Sequence, residues 1–230
     1  MHLTLPNLLT ILRLIAAPSI VFLFLWLPRP WADMAALVLF GFAALTDWID
    51  GHLARRWAQV TKLGTMLDPI ADKAMVVIAL LVIAVLTGID QLPGIAGFDP
   101  LIIIPATLIV FREVFVSGLR EFLGDTAGTL KVTRIAKWKT ATQMIAISVL
   151  FAQGIAAHYL GMWTWGMDAE MAQAVLAGQV EDTLGIRLMY YANMIAAWGG
   201  LILLWLAAIL TLLSGADYFL KAMPFLREDA

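Results

Sequence analysis

The chain has 230 residues, 62% hydrophobic and only 14% charged, with a mean hydropathy of +0.88 and a net charge of −2. Soluble domains are about half apolar and a quarter charged, so this balance excludes a water-soluble globule and indicates an integral membrane protein. With no cysteine, disulfides and thiolate chemistry are excluded as well.

Apolar runs of the ~20 residues needed to cross a bilayer recur along the chain, and six helices are expected. The first spans about Leu5 to Leu27 and stops at "PRP". It lacks a basic flank and a small-residue cleavage site, so it is expected to be a retained helix and not a cleaved signal. The second spans about Trp31 to Ala58, and its C-terminal half carries Asp47 and Asp50. The third is expected to start near Pro69, a residue suited to a first helical turn, and to end at "TGIDQLPGIAGFDP". The fourth spans about Leu101 to Phe122, the fifth Lys137 to Leu160 and the sixth Arg187 to Leu213. Between the last two, "MDAEMAQAVLAG" has the pattern of a short amphipathic helix in an ordered connector. No internal repeat is visible, so one domain over residues 1–230 is expected.

Charge distribution gives the orientation. With the N-terminus inside, 13 of the 15 basic residues fall on the inner side, leaving Arg29 and Arg187 outside. Both termini are therefore expected in the cytoplasm, with the acidic stretch at the cytoplasmic face.

That stretch, "DWIDGHLARRWAQVTKLGTMLDPIAD", holds Asp47, Asp50, Asp68 and Asp72. The first two are three apart and the last two four apart, so each pair shares one helix face. Four carboxylates next to hydrocarbon must line a polar cavity or bind cations. All-oxygen ligation suits Mg²⁺ or Mn²⁺, and four carboxylates suffice for two ions. A pair of ions is suited to displacement at phosphorus, where attacking and leaving oxygens must be neutralised together. Gly51 permits a close ligand approach, and Arg55 can offer a guanidinium fork to a phosphate. The competing reading is a set of salt bridges, such as Asp50–Arg55.

Asp47, Asp50, Gly51, Ala54, Arg55, Gly64, Asp68 and Asp72 together match the signature of the CDP-alcohol phosphotransferases, position by position. The resemblance implies an all-α membrane fold of six transmembrane helices, usually a homodimer, that displaces CMP from a CDP-linked substrate. It implies that the four aspartates hold the metal ions and that Asp72 is also the general base. It further implies that Gly51, Arg55 and Thr61 contact the CDP moiety. The segments "LPNLLTILRLIAAP", "FREVFVSGLREFLG" and "KWKTATQM" are similar to family members that join CDP-diacylglycerol to glycerol 3-phosphate. That similarity implies Asn7, Thr10 and Arg13 near the CDP-diacylglycerol head group. One departure is Ala136 before Lys137, where the family usually has glycine.

A dianionic acceptor needs fixed positive charge beyond that serving the diphosphate. Arg112 and Arg120 are eight apart on the fourth helix, about two turns, and Lys137 and Lys139 follow on the same side. Arg112 lies inside an apolar run, where an idle charge is costly, and Glu113 is expected to orient neighbouring cations. His2, His52 and His158 show no metal-binding spacing. Rival acceptors are phosphatidylglycerol, inositol phosphate and serine. A divalent-cation transporter is a rival of another class, but it would carry acids at mid-membrane depth on several helices.

Overall fold

The computed structural model describes residues 4–56, 61–89, 99–129 and 134–226, with the side chains of residues 6, 47–56, 88, 89, 125, 127, 129 and 134–137 outside that description. Among the described residues helices are the only regular secondary structure. In order these are α1 (Leu5–Trp26), α2 (Trp31–Arg56), α3 (Lys62–Ile89), α4 (Pro100–Leu123), α5 (Arg134–Trp163), α6 (Ala169–Leu176) and α7 (Ile186–Ala222). Short 3₁₀ turns follow α4 and α7. Five of the helices, α1, α3, α4, α5 and α7, are long and apolar enough to cross a membrane. α2 is apolar from Trp31 to Thr46 and then continues as helix through the aspartate-bearing stretch.

Local chemistry accounts for the helix ends. Pro6 sits in the first turn of α1, where its missing N–H is harmless. Leu27 leaves the helix with extended angles because the following Pro28 disfavours the α region. Asp99 caps α4 by accepting the Leu101 N–H at 2.9 Å, and Gly124 ends that helix with φ of +51°. The expected amphipathic segment of the connector is α6, capped by Asp168 through the Met171 N–H at 2.7 Å.

Two boundaries differ from the sequence-based expectation. α3 begins at Lys62, seven residues before Pro69, because Thr61 caps it by accepting the Gly64 N–H at 3.0 Å. Pro69 then lies inside the helix, a position that neighbouring helices can compensate in a membrane. α7 does not stop at Leu213 but runs 37 residues to Ala222.

The chain divides into two units, and α3, α5 and α7 each contribute to both. Unit 1 comprises Met1–Ala79 and Ile147–Gly200. Lipid tails are as apolar as leucine, so helices associate there through close packing and polar contacts. Accordingly Ala17, Ala32, Ala36, Ala71 and Ala79 are fully buried, whereas Leu25, Val38 and Ile195 are exposed. Phe151 of α5 stacks on Phe24 and meets Phe40 edge-on. Arg29 grips Asp33 through two hydrogen bonds of 2.8 and 3.0 Å, and Gly154 of α5 packs so closely on this pair that a Cβ would overlap both side chains. α1 and α3 run parallel, since Asn7, Thr10 and Arg13 meet Thr61, Asp68 and Asp72 in the same order.

Unit 2 comprises Leu80–Ala146 and Leu201–Ala230. Here α4 and α7 run parallel: the Trp205 indole donates to the Leu101 carbonyl, Arg112 reaches Ser214, and Arg120 covers Tyr218. Val116, Leu123, Tyr218 and Ala222 form a buried cluster between these two helices.

At the start of α7 in unit 1, Asp182 accepts the backbone N–H groups of Ile186 at 2.7 Å and Arg187 at 2.9 Å. The Arg187 N–H bond is the main reason the Asp182 carboxyl titrates below its usual range, with Ile186, Gly185 and the Arg187 charge adding to it. A depressed folded-state value means that this contribution is whole above the unfolded value of about 3.9 and is lost as pH falls through the folded one. Hydrogen exchange should therefore show the first turn of α7 protected at neutral pH and opening only in acid. Asp182→Ala should open that turn at every pH.

Candidate active site

In unit 1 the polar edge of α1 lies against the N-terminal half of α3. Asn7, Thr10 and Arg13 follow one another at three-residue steps and are 2%, 1% and 3% exposed, within a largely apolar helix. Thr61 donates its hydroxyl to Asn7 Oδ1 at 2.7 Å while capping α3. Thr10 donates to Asp68 Oδ1 at 2.5 Å. Arg13 donates to Asp72 Oδ1 at 2.5 Å, and its other terminal nitrogen lies 3.8 Å from Asp68 Oδ1. Gly64 makes this approach possible, because a Cβ there would stand 2.9 Å from Asn7 Oδ1 and 3.3 Å from Thr61 Oγ1.

The two carboxylates held in this way remain half exposed, at 50% for Asp68 and 45% for Asp72. Hard divalent cations prefer carboxylate oxygens whose orientation is set by further hydrogen bonds, and the pair meets that requirement. Asp68 and Asp72 therefore fit metal ligation. Among the described residues no group of three or more carboxylates or histidines gathers. Asp47, Asp50, Gly51 and Arg55 lie on the last turns of α2, and their side chains are outside the described set. Of the residues expected to serve the CDP-linked substrate, Asn7, Thr10, Arg13 and Thr61 are brought together. Thr10 and Arg13 hold the two carboxylates, and Asn7 and Thr61 bond to each other at the head of α3.

Unit 2 gathers the cations expected to bind the acceptor. Glu113, nearly buried on α4, forms an ion pair with Lys139 of α5 and stands 3.5 Å from the Arg112 guanidinium. Arg112 also donates to Ser214 Oγ of α7 at 3.0 Å. The Arg120 guanidinium lies 5.2 Å above the Tyr218 ring, within cation–π range. Lys137 is on the first turn of α5, with its side chain outside the description. Ser214, Gly215 and Tyr218 escaped the sequence reading. A serine and a glycine in a long apolar run look like packing residues until the arginines they touch are known.

Comparison with known proteins agrees with these features. A family model described as CDP-alcohol phosphatidyltransferase matches residues 3–213. A protein of Cereibacter sphaeroides named CDP-diacylglycerol–glycerol-3-phosphate 3-phosphatidyltransferase is 52% identical over 230 residues, all of both chains. One of the same name from Rickettsia bellii is 34% identical over 215 residues, 94% of this chain and 93% of its own length. Another from Pseudomonas fluorescens is 42% identical over 150 residues, 64% of this chain and 71% of its own length.

Two substitutions probe the geometry. Gly64→Ala must displace the Asn7 amide from Thr61, and thermal unfolding in detergent should register an overpacking cost of about 1–3 kcal/mol. Glu113→Ala leaves Arg112 and Lys139 without their shared counter-charge. The same assay should show a larger loss, about 3–5 kcal/mol, as for breaking a buried ion pair.

Proposed function

The chain belongs to the CDP-alcohol phosphatidyltransferase family, and from that membership we propose that it transfers the phosphatidyl group of CDP-diacylglycerol to glycerol 3-phosphate. The products are phosphatidylglycerol phosphate and CMP. The observation that carries the choice of acceptor is the 52% identity, over the whole of both chains, to an enzyme named for that reaction.

Asp47, Asp50, Asp68 and Asp72 hold two divalent ions, Mg²⁺ or Mn²⁺, and the geometry around Asp68 and Asp72 supports this. Bound ions of this kind neutralise the diphosphate and the charge that develops on its leaving oxygen. Gly51, Arg55 and Thr61 hold the CDP moiety, and Asn7, Thr10 and Arg13 lie at the CDP-diacylglycerol head group, with Thr10 and Arg13 also bonded to the α3 carboxylates. Arg112, Arg120, Lys137 and Lys139 supply positive charge for the acceptor phosphate. Asp72 takes the proton from the 1-hydroxyl of glycerol 3-phosphate as that oxygen attacks the β-phosphorus. A new oxygen–phosphorus bond forms, the bond to the CMP oxygen breaks, and the proton remains on the carboxylate until solvent removes it.

We place the protein in a bacterial inner membrane as one six-span domain and a homodimer, with both termini and the aspartates at the cytoplasmic face. The inner-side excess of basic residues and the parallel directions of α1 with α3 and of α4 with α7 support this arrangement. Purified protein given labelled glycerol 3-phosphate, CDP-diacylglycerol and Mg²⁺ should form phosphatidylglycerol phosphate and CMP in equal amounts, and chelation should stop both. Asp72→Asn should lower kcat roughly 10²–10⁴-fold, the usual contribution of a positioned base. Full activity in that variant would remove the assignment.

A further inference from the structure

The α4–α7 contacts in unit 2 place two guanidinium groups on one turn of α7. Arg112 and Arg120 are eight residues apart, about 12 Å along α4. Their partners Ser214 and Tyr218 are four apart, about 6 Å along α7. The side chains therefore lean toward each other along α7 instead of standing apart on α4.

The hold on Arg112 is specific. One terminal nitrogen donates to Ser214 Oγ, and Ser214 donates in turn to the Thr211 carbonyl at 3.0 Å, so its lone pairs are directed at the guanidinium. Gly215 provides the berth, since a Cβ there would lie 2.9 Å from Arg112 Cγ and 3.2 Å from Nε. The other terminal nitrogen faces Glu113, which Lys139 also engages. Glu113 is shared by two cations, Arg112 and Lys139, while Arg120 stands over the Tyr218 ring, so cations outnumber carboxylates among these contacts. Asp217, on the next turn of α7, pairs with Lys221 at 2.7 Å. Buried polar atoms without a hydrogen-bond partner among the described residues collect here too: Arg112 Nε, Thr211 Oγ1 and Tyr218 Oη. Such groups are rare in folded proteins and mark places where water or a ligand is accommodated.

We propose that Ser214 and Gly215 are positioning residues for acceptor recognition, setting the direction of the Arg112 guanidinium, and that Tyr218 sets that of Arg120. α7 thereby selects an alcohol bearing a phosphate dianion over a neutral alcohol. The inference rests on the reading that Arg112 and Arg120 hold the acceptor phosphate.

The test is steady-state kinetics on the full-length protein, varying glycerol 3-phosphate at saturating CDP-diacylglycerol and the reverse. Ser214→Ala and Gly215→Ala should each raise KM for glycerol 3-phosphate about tenfold, the scale of one lost hydrogen bond to a charged group. KM for CDP-diacylglycerol should stay near that of the parent protein in both variants, as should the melting temperature of Ser214→Ala in detergent. Ser214→Thr keeps the hydroxyl and should remain within about twofold of it. A fall in kcat alone, or a parallel rise in both KM values, would overturn the inference. Arg112→Ala separates the two levels of the argument. If it raises KM for glycerol 3-phosphate strongly while Ser214→Ala and Gly215→Ala do not, the positioning role fails and the acceptor reading stands. If Arg112→Ala leaves that KM unchanged, both fail.

Discussion

Ionised groups beside hydrocarbon must be paired or hydrogen-bonded, and the seam between α1 and α3 is built around that constraint. Arg13 and Asp72 meet at 2.5 Å with Thr10 and Asp68 one turn nearer the helix starts. The seam sets the parallel direction of the two helices and keeps Thr61 at the head of α3. It also leaves about half of each carboxylate side chain exposed. Were the same aspartates fully enclosed, the ion pair would be purely structural. Were they fully open, nothing would set their orientation. The observed exposure lies between these limits.

Unit 2 handles charge differently. Arg112 and Lys139 share a single carboxylate, so Glu113 compensates for only part of the positive charge around it. The remainder is spread over a serine hydroxyl and an aromatic face, both from α7. Neutral partners of this kind hold a guanidinium in place without cancelling its field, which is what a site for a dianion requires. The carboxylates of unit 1 and the cations of unit 2 thus obey one rule with opposite outcomes. Negative groups are steadied by hydrogen bonds from a neighbouring helix, and positive groups by acceptors that keep the net charge high.

Much of this was legible in the sequence because spacing alone puts Asp68 and Asp72 on one face and Arg112 in the middle of an apolar run. The frame around them was not, for identifiable reasons. Pro69 is a strong marker for a helix start, but the cap at Thr61 overrides it, so α3 begins two turns earlier and both aspartates fall inside it. The end of α7 was set too early because Ser214, Gly215 and Asp217 look like the edge of an apolar run. Contacts with Arg112 and Arg120 and the buried Tyr218 and Ala222 carry the helix onward. Asn7, Thr10 and Arg13 were expected beside the lipid head group. Their bonds to α3 show up only once two helices distant in sequence are laid side by side.

The ion pair between Arg13 and Asp72 spans 59 positions in the chain. During synthesis, α1 therefore enters the bilayer with its guanidinium before the carboxylate that balances it has left the ribosome. An arginine at the centre of an isolated span costs about 2.5–3.5 kcal/mol on insertion scales, so Arg13 must reach back to the head groups in that interval. Arg112 faces no such wait, because Glu113 is the next residue to be made. The two arginines thus enter the bilayer under different conditions, one with its counter-charge adjacent and one reliant on lipid until α3 arrives.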